Sequence, residues 1–316
     1  THRDSSAASD VYKRQDLGKW KPENYGKKFY GPSTLRKGIE NSRNLMTIRI
    51  AQYLGMEKVA EIANRTGVME NMPNVLSMAL GAGETSLIDL TAAYASFVNG
   101  GKKVEPSLID RIQDRRGKNI FLENFAACTN CDEPYIEENP MPKLVNSSES
   151  IFDEAKSYQM VSILKGAVDR GTGRKTKIDG IEIAGKTGTT NNNTDAWFIG
   201  FTSDLIIGVY AGFDKPKSLG KRETGSSVAV PIFREFVKNY YQEKPILPFT
   251  IPNGIELIKI NYDTGEIASN FNSSESVYEA FSKSDNLVSS GEILVGSEGF
   301  QIIEVADEVK EEYVIY

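Results

Sequence analysis

The chain has 316 residues, of which 40% are hydrophobic and 25% are charged, and its formal net charge is −6. These values are average for a soluble globular protein and allow one large domain or two ordinary ones. The charge argues against nucleic acid as a partner, because proteins that bind it neutralise phosphates with clustered Lys and Arg. The single histidine, His2, lies at the extreme end of the chain, which almost excludes Ser-His-Asp, Cys-His and histidine-based metalloprotease sites.

Residues 1–15 are polar and show no periodicity, so we expect a foreign or disordered leader and base no fold prediction on it. The chain begins with Thr rather than Met, and we expect that it is truncated at this end. No apolar run reaches the roughly 18 residues that a membrane span needs, and no signal peptide is recognisable.

Hydrophobic periodicity and capping residues predict the elements in chain order. The predicted helices lie within 38–55, 56–66, 86–98, 152–168 and 230–241. The predicted strands are a hairpin within 104–121 that turns at 114–117, and three strands at 181–187, 195–201 and 204–213. Residues 122–150 are a polar insertion, and the tail from 247 holds only short strand-like pieces. Helices grouped before consecutive strands predict an α+β fold with an antiparallel sheet flanked by helices.

The two cysteines, Cys128 and Cys131, lie in a polar stretch of the insertion. A zinc site needs two further ligands, and a redox pair normally sits at a strand-to-helix turn. The simpler interpretations are a loop disulfide in an oxidising compartment or two thiols without a role. We therefore predict no metal site and no cofactor.

The most informative motif is Lys186-Thr187-Gly188-Thr189-Thr190, which follows the alternating stretch 181–185. Without a usable histidine, acyl chemistry would have to use lysine, and a Lys-Thr-Gly strand that faces a serine is a known arrangement for this. The overlapping segment 180–187 also matches the phosphate-binding pattern G-x-x-x-x-G-K-T. That loop must follow a buried strand and open a helix, whereas this segment is followed by an Asn-rich turn. We therefore set the nucleotide-binding interpretation aside.

Two short serine patterns each occur twice in the chain, so only their context can choose among them. They are Ser42-Arg43-Asn44 and Ser284-Asp285-Asn286 for Ser-x-Asn, and Ser162 to Lys165 and Ser218 to Lys221 for Ser-x-x-Lys. A nucleophilic serine and a lysine base suit a spacing of one helical turn. The predicted helix within 152–168 offers this spacing, but Lys165 is typical of a solvated lysine.

Several long segments together resemble class A penicillin-binding proteins, the bifunctional peptidoglycan synthases. The segments are Leu35-Arg36 with Ser42-Arg43-Asn44-Leu45-Met46-Thr47, Ala79-Leu80-Gly81-Ala82-Gly83-Glu84-Thr85-Ser86, Arg170-Gly171-Thr172-Gly173, Gly185-Lys186-Thr187-Gly188-Thr189-Thr190 with Asp195-Ala196-Trp197-Phe198, and Tyr278-Glu279-Ala280-Phe281. The resemblance implies a partial transpeptidase domain over 16–285, with a polar hairpin insertion at about 104–150 and a C-terminal extension over 286–316.

The family order is Ser-x-x-Lys, then Ser-x-Asn, then Lys-Thr-Gly. This order selects Ser42 and Asn44 as the second motif and Lys186 as the third. It places the nucleophilic serine upstream of Trp20, where the chain has no matching motif. We therefore expect a fragment that is inactive on its own, without the glycosyltransferase domain and membrane anchor of the intact protein.

The resemblance implies a serine-type D,D-transpeptidase that cross-links peptidoglycan stem peptides during cell wall synthesis. By analogy, Ser42 relays a proton between the nucleophile and the leaving amine, and Asn44 donates a hydrogen bond to the substrate backbone. Lys186 lowers the energy of anionic states and helps to orient Ser42.

The same analogy makes Thr187, Gly188 and Thr189 the substrate-binding residues. The threonine hydroxyls would hold the terminal carboxylate, and the Thr189 N–H would form half of the oxyanion hole. Gly188 leaves room for substrate against the strand edge. Beta-lactams are the implied inhibitors, and the implied location is the periplasmic side of the bacterial inner membrane.

Two other classes of protein stay open at this point. The chain could be a non-catalytic penicillin-recognising module, in which Ser42 only begins a helix and Lys186 only protects an edge strand. It could also be a beta-lactamase, although Arg43 stands where class A lactamases have aspartate.

Overall fold

A computed structural model describes residues 20–123, 148–268 and 276–283 in full, together with the backbone of 7–10, 126–129, 143–146, 292–295 and 301–304. The rest of the predicted leader, Cys131, Ser284-Asp285-Asn286 and most of the predicted C-terminal extension lie outside these residues.

The first half of the chain is mainly helical. Its elements are β1 (Ala7–Asp10), β2 (Gly31–Thr34), α1 (Leu35–Glu40), α2 (Asn44–Leu54), α3 (Met56–Arg65), α4 (Leu87–Val98), β3 (Arg111–Gln113), β4 (Asn119–Leu122), β5 (Ala126–Thr129) and β6 (Lys143–Asn146). The second half contains the sheet that carries the site. Its elements are α5 (Glu154–Asp169), β7 (Ala184–Thr189), β8 (Asp195–Phe201), β9 (Ile206–Gly212), α6 (Val230–Tyr240), β10 (Ile255–Asn261), β11 (Ser276–Ser282), β12 (Glu292–Val295) and β13 (Gln301–Glu304).

The central sheet is antiparallel, has the order β7-β8-β9 and is covered by helices on both faces. On one face Phe198 packs against Phe233 of α6, and both side chains are fully buried. On the other face Ala184 and Phe201 pack against residues of α5, including Leu164. This alternation follows from the two-residue side-chain period of strands. The predicted α+β fold with an antiparallel sheet flanked by helices is confirmed.

The remaining strands form separate sheets. β3 with β4, β5 with β6, and β10 with β11 are antiparallel pairs, and a four-stranded sheet has the order β13-β12-β1-β2. Within it β1 and β12 run parallel, while its other pairs are antiparallel. Within the described ranges, each helix is too short or too polar to cross a bilayer.

Several predicted boundaries agree closely with the structure. β8 has the predicted bounds, and α4 begins after Ser86, whose hydroxyl accepts a hydrogen bond from the Asp89 N–H at 3.1 Å. α3, α5 and α6 lie within two residues of their predicted ends. These elements carry a local signal, either a cap or an apolar face, that does not depend on distant contacts.

Two boundaries differ from the prediction in ways that matter for the site. The helix predicted within 38–55 is two helices, because α1 ends at Glu40 and α2 begins at Asn44. The strand predicted over 181–187 is β7 at Ala184–Thr189, because Ile178 and Ile181 form an isolated bridge around a turn at Gly180. As a result, Ser42 lies between two helices rather than inside one, and Lys186 lies in the interior of β7 rather than near the end of the strand.

Candidate active site

Ser42 and Lys186 meet although 144 residues separate them in sequence. The Lys186 Nζ donates a hydrogen bond to the Ser42 Oγ at 2.5 Å and a second one to the Thr187 carbonyl at 3.0 Å. Lys186 projects from β7 on the face that packs against α5, because Ala184, two residues earlier in the strand, joins the α5 cluster. The structure therefore brings together the serine of one predicted motif and the lysine of the other.

Ser42 directly follows Asn41, the C-cap residue of α1. The Arg43 N–H donates to the Gly38 carbonyl at 2.9 Å and the Ser42 N–H donates to the Ile39 carbonyl at 3.1 Å, which is the pattern of a Schellman motif. This cap gives Ser42 a left-handed φ of 53°, where glycine is the usual residue. An L-residue there carries strain of roughly 1–2 kcal/mol, and such strain is common at functional sites. A serine keeps a hydroxyl that glycine would lack.

The amine of Lys186 is only partly exposed to solvent. Burial disfavours the charged form and lowers the pKa of Lys186 from 10.5 to about 8. With such a pKa, about a tenth of the amines are neutral at pH 7. Proton transfer is most efficient when the pKa of the group lies near the working pH, so this lysine suits general acid–base chemistry.

The backbone of β7 offers hydrogen-bonding groups along one edge. The Thr190 N–H donates to the Asp195 carbonyl at 3.2 Å, so the even-numbered residues of β7 form the hydrogen-bonded pairs with β8. The N–H and C=O groups of Thr187 and Thr189 therefore point away from β8, towards the edge that no described strand covers. The bond from Lys186 to the Thr187 carbonyl agrees with this orientation.

The two threonine side chains of β7 have partners from two other segments. The Thr187 and Thr172 Oγ1 atoms are 2.8 Å apart, and the Thr189 Oγ1 accepts a hydrogen bond from the Gly225 N–H at 3.1 Å. A hydroxyl that accepts one bond still has its own proton to donate. At Gly188 an added Cβ would lie 3.1 Å from the Cβ of Trp197, so a larger side chain would press on the tryptophan.

The side chain of Asn44 contacts a different segment from the Ser42–Lys186 pair. It is the first residue of α2, and its Nδ2 donates to the Glu23 carbonyl at 2.9 Å. The Oδ1 of Asn24 accepts from the Leu45 N–H at 3.2 Å, so the start of α2 is tied to the segment before β2 at two points. The amide nitrogen of Asn44 has a second N–H that this contact does not use.

A buried cluster of charges lies behind Ser42, and the sequence analysis assigned it no role. Glu40 is fully buried and accepts from Arg36 Nη1 at 3.2 Å, Arg170 Nη2 at 2.6 Å and the Tyr262 hydroxyl at 2.8 Å. Arg36 also donates to Glu279 at 2.5 Å. Burial alone would lower the pKa of Arg36, but hydrogen bonds and charges from Glu279 and Glu40 raise it. Burial and the charge of Glu40 also raise the pKa of Tyr262.

Sequence signals for this cluster existed but were indirect. Arg36, Arg170 and Glu279 all lie in segments that carry the family resemblance. Glu40 follows Arg36 by four residues, a spacing that puts both on one helix face. Their burial could not be inferred, because a charged pair at this spacing is most often solvated.

The competing serine motifs do not form a nucleophile–base pair. The Ser162 Oγ accepts from Arg36 Nη2 at 2.9 Å, whereas Lys165 pairs with Glu182 at 3.3 Å and Asp169 at 3.7 Å. Ser218 accepts from the Gly220 N–H at 3.2 Å in an exposed loop. Among the described residues, Ser42 is the serine of these motifs that contacts a motif lysine.

The segment 180–187 does not have the geometry of a phosphate-binding loop. Gly180 forms a turn, and Lys186-Thr187 lie inside β7 rather than at the start of a helix. The chain continues into β8. The rejection of the nucleotide-binding interpretation is therefore supported by the fold.

Residues 3–238 match the family model described as the penicillin binding protein transpeptidase domain. Penicillin-binding protein 1A of Rickettsia conorii is 45% identical over 254 residues, which are 78% of this chain and 32% of that protein. Penicillin-binding protein 1A of Pseudomonas aeruginosa is 32% identical over 309 residues, which are 88% of this chain and 38% of that protein. The chain thus spans about a third of the length of these curated relatives.

Solved structures show the same fold. The crystal structure of penicillin-binding protein 1A from Haemophilus influenzae superposes with a TM-score of 0.72 at 28% identity, covering 87% of this chain and 44% of that one. PonA1 from Mycobacterium tuberculosis, solved in complex with penicillin V, gives a TM-score of 0.62 at 18% identity and covers 85% of this chain and 69% of that one. At the lower identity the likeness is one of fold alone.

Proposed function

Because this chain belongs to the penicillin-binding protein transpeptidase family, as a penicillin-binding protein 1A-like region, we propose that it supplies the Ser42, Asn44 and Lys186 part of a D,D-transpeptidase site. The intact protein would cross-link peptidoglycan stem peptides. The observation that carries this proposal is the hydrogen bond from Lys186 to Ser42. A lysine that binds the serine of a Ser-x-Asn motif provides a proton path where no histidine is available.

In the proposed reaction a serine oxygen attacks the carbonyl carbon of the penultimate D-alanine. The bond to the nitrogen of the terminal D-alanine breaks, and an ester forms on the enzyme. An amine on a neighbouring strand then attacks the ester, releases the serine oxygen and forms the cross-link. Ser42 and Lys186 carry the proton from the attacking hydroxyl to the leaving amine, a task that suits a lysine pKa of about 8.

The edge of β7 would bind the substrate. The Thr189 N–H points to this edge and would donate to the developing oxyanion; loss of one such donor costs about 10²–10³ in rate. The Thr189 hydroxyl accepts from the Gly225 N–H and keeps its proton for the terminal carboxylate of the substrate. Thr187 would contribute a second hydroxyl, and Gly188 leaves space for the peptide.

The nucleophilic serine would come from outside this sequence. Residues 1–41 contain no Ser-x-x-Lys pattern. We propose that an upstream segment of the intact protein supplies both that serine and the second oxyanion-hole donor. The upstream region would also hold the anchor that keeps the domain on the periplasmic side of the inner membrane, where stem peptides are joined.

Beta-lactams are the proposed inhibitors. Relatives of the same fold were solved with such drugs, PonA1 with penicillin V and penicillin-binding protein A of Mycobacterium tuberculosis as an imipenem acyl-enzyme complex. A beta-lactam would acylate the upstream serine with the help of Ser42 and Lys186, because it presents a carbonyl and a carboxylate to the same groups.

Fluorescent penicillin tests the proposal on two proteins. The 316-residue chain should take no covalent label. The intact protein should be labelled, and Ser42→Ala or Lys186→Met should slow its acylation by on the order of 100-fold or more, because each removes the proton path. Ser218→Ala, in the exposed loop, should leave the rate unchanged.

Four results would contradict the proposal. Labelling of the chain at Ser162 would mean that the nucleophile was assigned wrongly. Normal acylation of the Ser42→Ala protein would remove Ser42 from the proton path. An intact protein that takes no label would favour the non-catalytic module, and one that deacylates rapidly would favour a beta-lactamase.

A further inference from the structure

Thr172 connects the two segments that carry Ser42 and Lys186. Its N–H donates to the Glu40 carbonyl at 3.1 Å, and its hydroxyl bonds to the Thr187 hydroxyl at 2.8 Å. Glu40 is two residues before Ser42, and Thr187 directly follows Lys186. A closed ring of contacts therefore joins Glu40, Ser42, Lys186, Thr187 and Thr172. The Ser42–Lys186 hydrogen bond closes one side of this ring, and the two hydrogen bonds of Thr172 close the opposite side.

The Glu40 side of this ring is firmly held. Its carboxylate is fully buried and receives hydrogen bonds from Arg36, Arg170 and Tyr262. The loop after α5 approaches so closely that a Cβ added at Gly171 would lie 2.1 Å from the Glu40 carbonyl oxygen. Close contact on a buried anchor leaves the end of α1 little freedom to shift relative to Thr172.

We infer that Thr172 is a positioning residue, which holds β7 in the register that brings the Lys186 amine onto Ser42. The ring can be broken at its weakest point, a single hydrogen bond between two partly buried hydroxyls. Without it, the hydrogen bond that links β7 to the Ser42 turn among the described residues would come from the flexible lysine side chain, whose four-carbon stem costs rotamer entropy to immobilise. The catalytic meaning of this role depends on the proposed function, but the geometric role does not.

The test measures protonation of the Lys186 amine by NMR in the whole chain, with the signal assigned through Lys186→Arg. In the parent protein the amine should titrate near pH 8, as its burial predicts. Thr172→Val keeps the volume and removes the hydroxyl. It should let water reach the amine and raise the pKa of Lys186 by about half a unit or more towards its ordinary value. Thr172→Ser, which restores the hydroxyl, should return the pKa to that of the parent.

Thr91→Val is the matched control, because the Thr91 hydroxyl donates only to the Leu87 carbonyl within α4, at 2.7 Å. It should not move the Lys186 titration. Thr187→Val removes the same bond from the strand side and should reproduce the effect of Thr172→Val, while the double variant should add nothing further. Thr187→Val also replaces Thr172→Val if the latter fails to fold.

An unchanged Lys186 titration in Thr172→Val, or effects of the two valines that simply add, would overturn the inference. In the intact protein, Thr172→Val should also slow penicillin acylation about tenfold, with Thr172→Ser within twofold of the parent. If the intact protein without substitutions takes no penicillin, the proposed function fails, while the NMR titration of the 316-residue chain still decides whether Thr172 positions the pair.

Discussion

At the scale of single residues, Ser42 combines a strained backbone with a contact to the motif lysine. It stands at the glycine position of a Schellman cap with a φ of 53°, and its hydroxyl accepts the bond from Lys186. A cap chosen only for stability would use glycine, which takes this conformation without steric cost. The presence of serine at this position is therefore best explained by the hydrogen bond that its hydroxyl accepts from Lys186.

This explanation predicts an unusual order of stability for two substitutions. Ser42→Gly and Ser42→Ala both lose the hydroxyl, but only alanine keeps the left-handed strain. The glycine variant should be the more stable by about 0.5–1 kcal/mol in urea unfolding, after allowing for the greater freedom of glycine in the unfolded chain. Both should lack proton transfer in the intact protein.

Ser96, within α4, provides the opposite order as a control. Its backbone is helical, so Ser96→Gly should be less stable than Ser96→Ala by about 1 kcal/mol. If alanine were the more stable residue at position 42 as well, the strain assigned to Ser42 would be wrong.

At the scale of elements, the site depends on the close approach of α1 and α5. Gly166 within α5 and Gly171 after it both face Glu40, and a Cβ at either position would overlap an atom of Glu40. The two glycines therefore give the Glu40 carbonyl and carboxylate room to reach Thr172 and Arg170. Their role is steric, because neither has a positive φ.

Gly171→Ala should therefore destabilise the protein by about 1–3 kcal/mol, since its Cβ would press on backbone that a buried cluster holds in place. Gly26→Ala is the control, because the nearest atom to its added Cβ is a tyrosine hydroxyl at 3.3 Å. Its effect should stay within about 0.5 kcal/mol. Equal effects of the two variants in urea unfolding would show that α1 and α5 can separate without cost.

At the scale of the whole molecule, one buried ion pair joins the two ends of the described domain. Arg36 of α1 binds Glu279 of β11 across 243 residues, and both side chains are almost completely buried. Because Arg36 also binds Glu40, the Arg36–Glu279 pair connects β11 to the cluster behind Ser42. Without Glu279, the buried guanidinium of Arg36 would share its remaining carboxylate partner, Glu40, with Arg170.

Glu279→Ala should consequently cost about 3–5 kcal/mol in thermal or urea unfolding. Asp263→Ala removes the partner of Lys37, a pair whose side chains are 28% and 54% exposed, and should cost less than about 1 kcal/mol. Comparison of the two variants tests whether the burial of an ion pair, rather than pairing itself, determines the loss of stability. A similar small loss for both variants would show that the Arg36 cluster adds nothing to stability.

Much of the fold could be predicted from local pattern alone. Ser86 predicted the start of α4, and the strand predicted at 195–201 has the bounds of β8, because capping and hydrophobic patterns depend on residues that are close together in sequence. The break between α1 and α2 could not be predicted in this way. The break arises from the cap that Ser42 forms, and the glycine that normally signals such a cap is absent at this position.

The sequence by itself determined the family, the class of fold and the two motifs, because the order of long segments and the absence of a usable histidine are properties of the chain. Only the tertiary structure decided that the Ser42 hydroxyl accepts a hydrogen bond from the Lys186 amine and that the Asn44 side chain donates one to the Glu23 carbonyl. It also decided that Thr172 connects the two segments that carry Ser42 and Lys186. These contacts join residues far apart in sequence. Their existence depends on burial and register, which are set by the packing of the whole domain rather than by any local pattern.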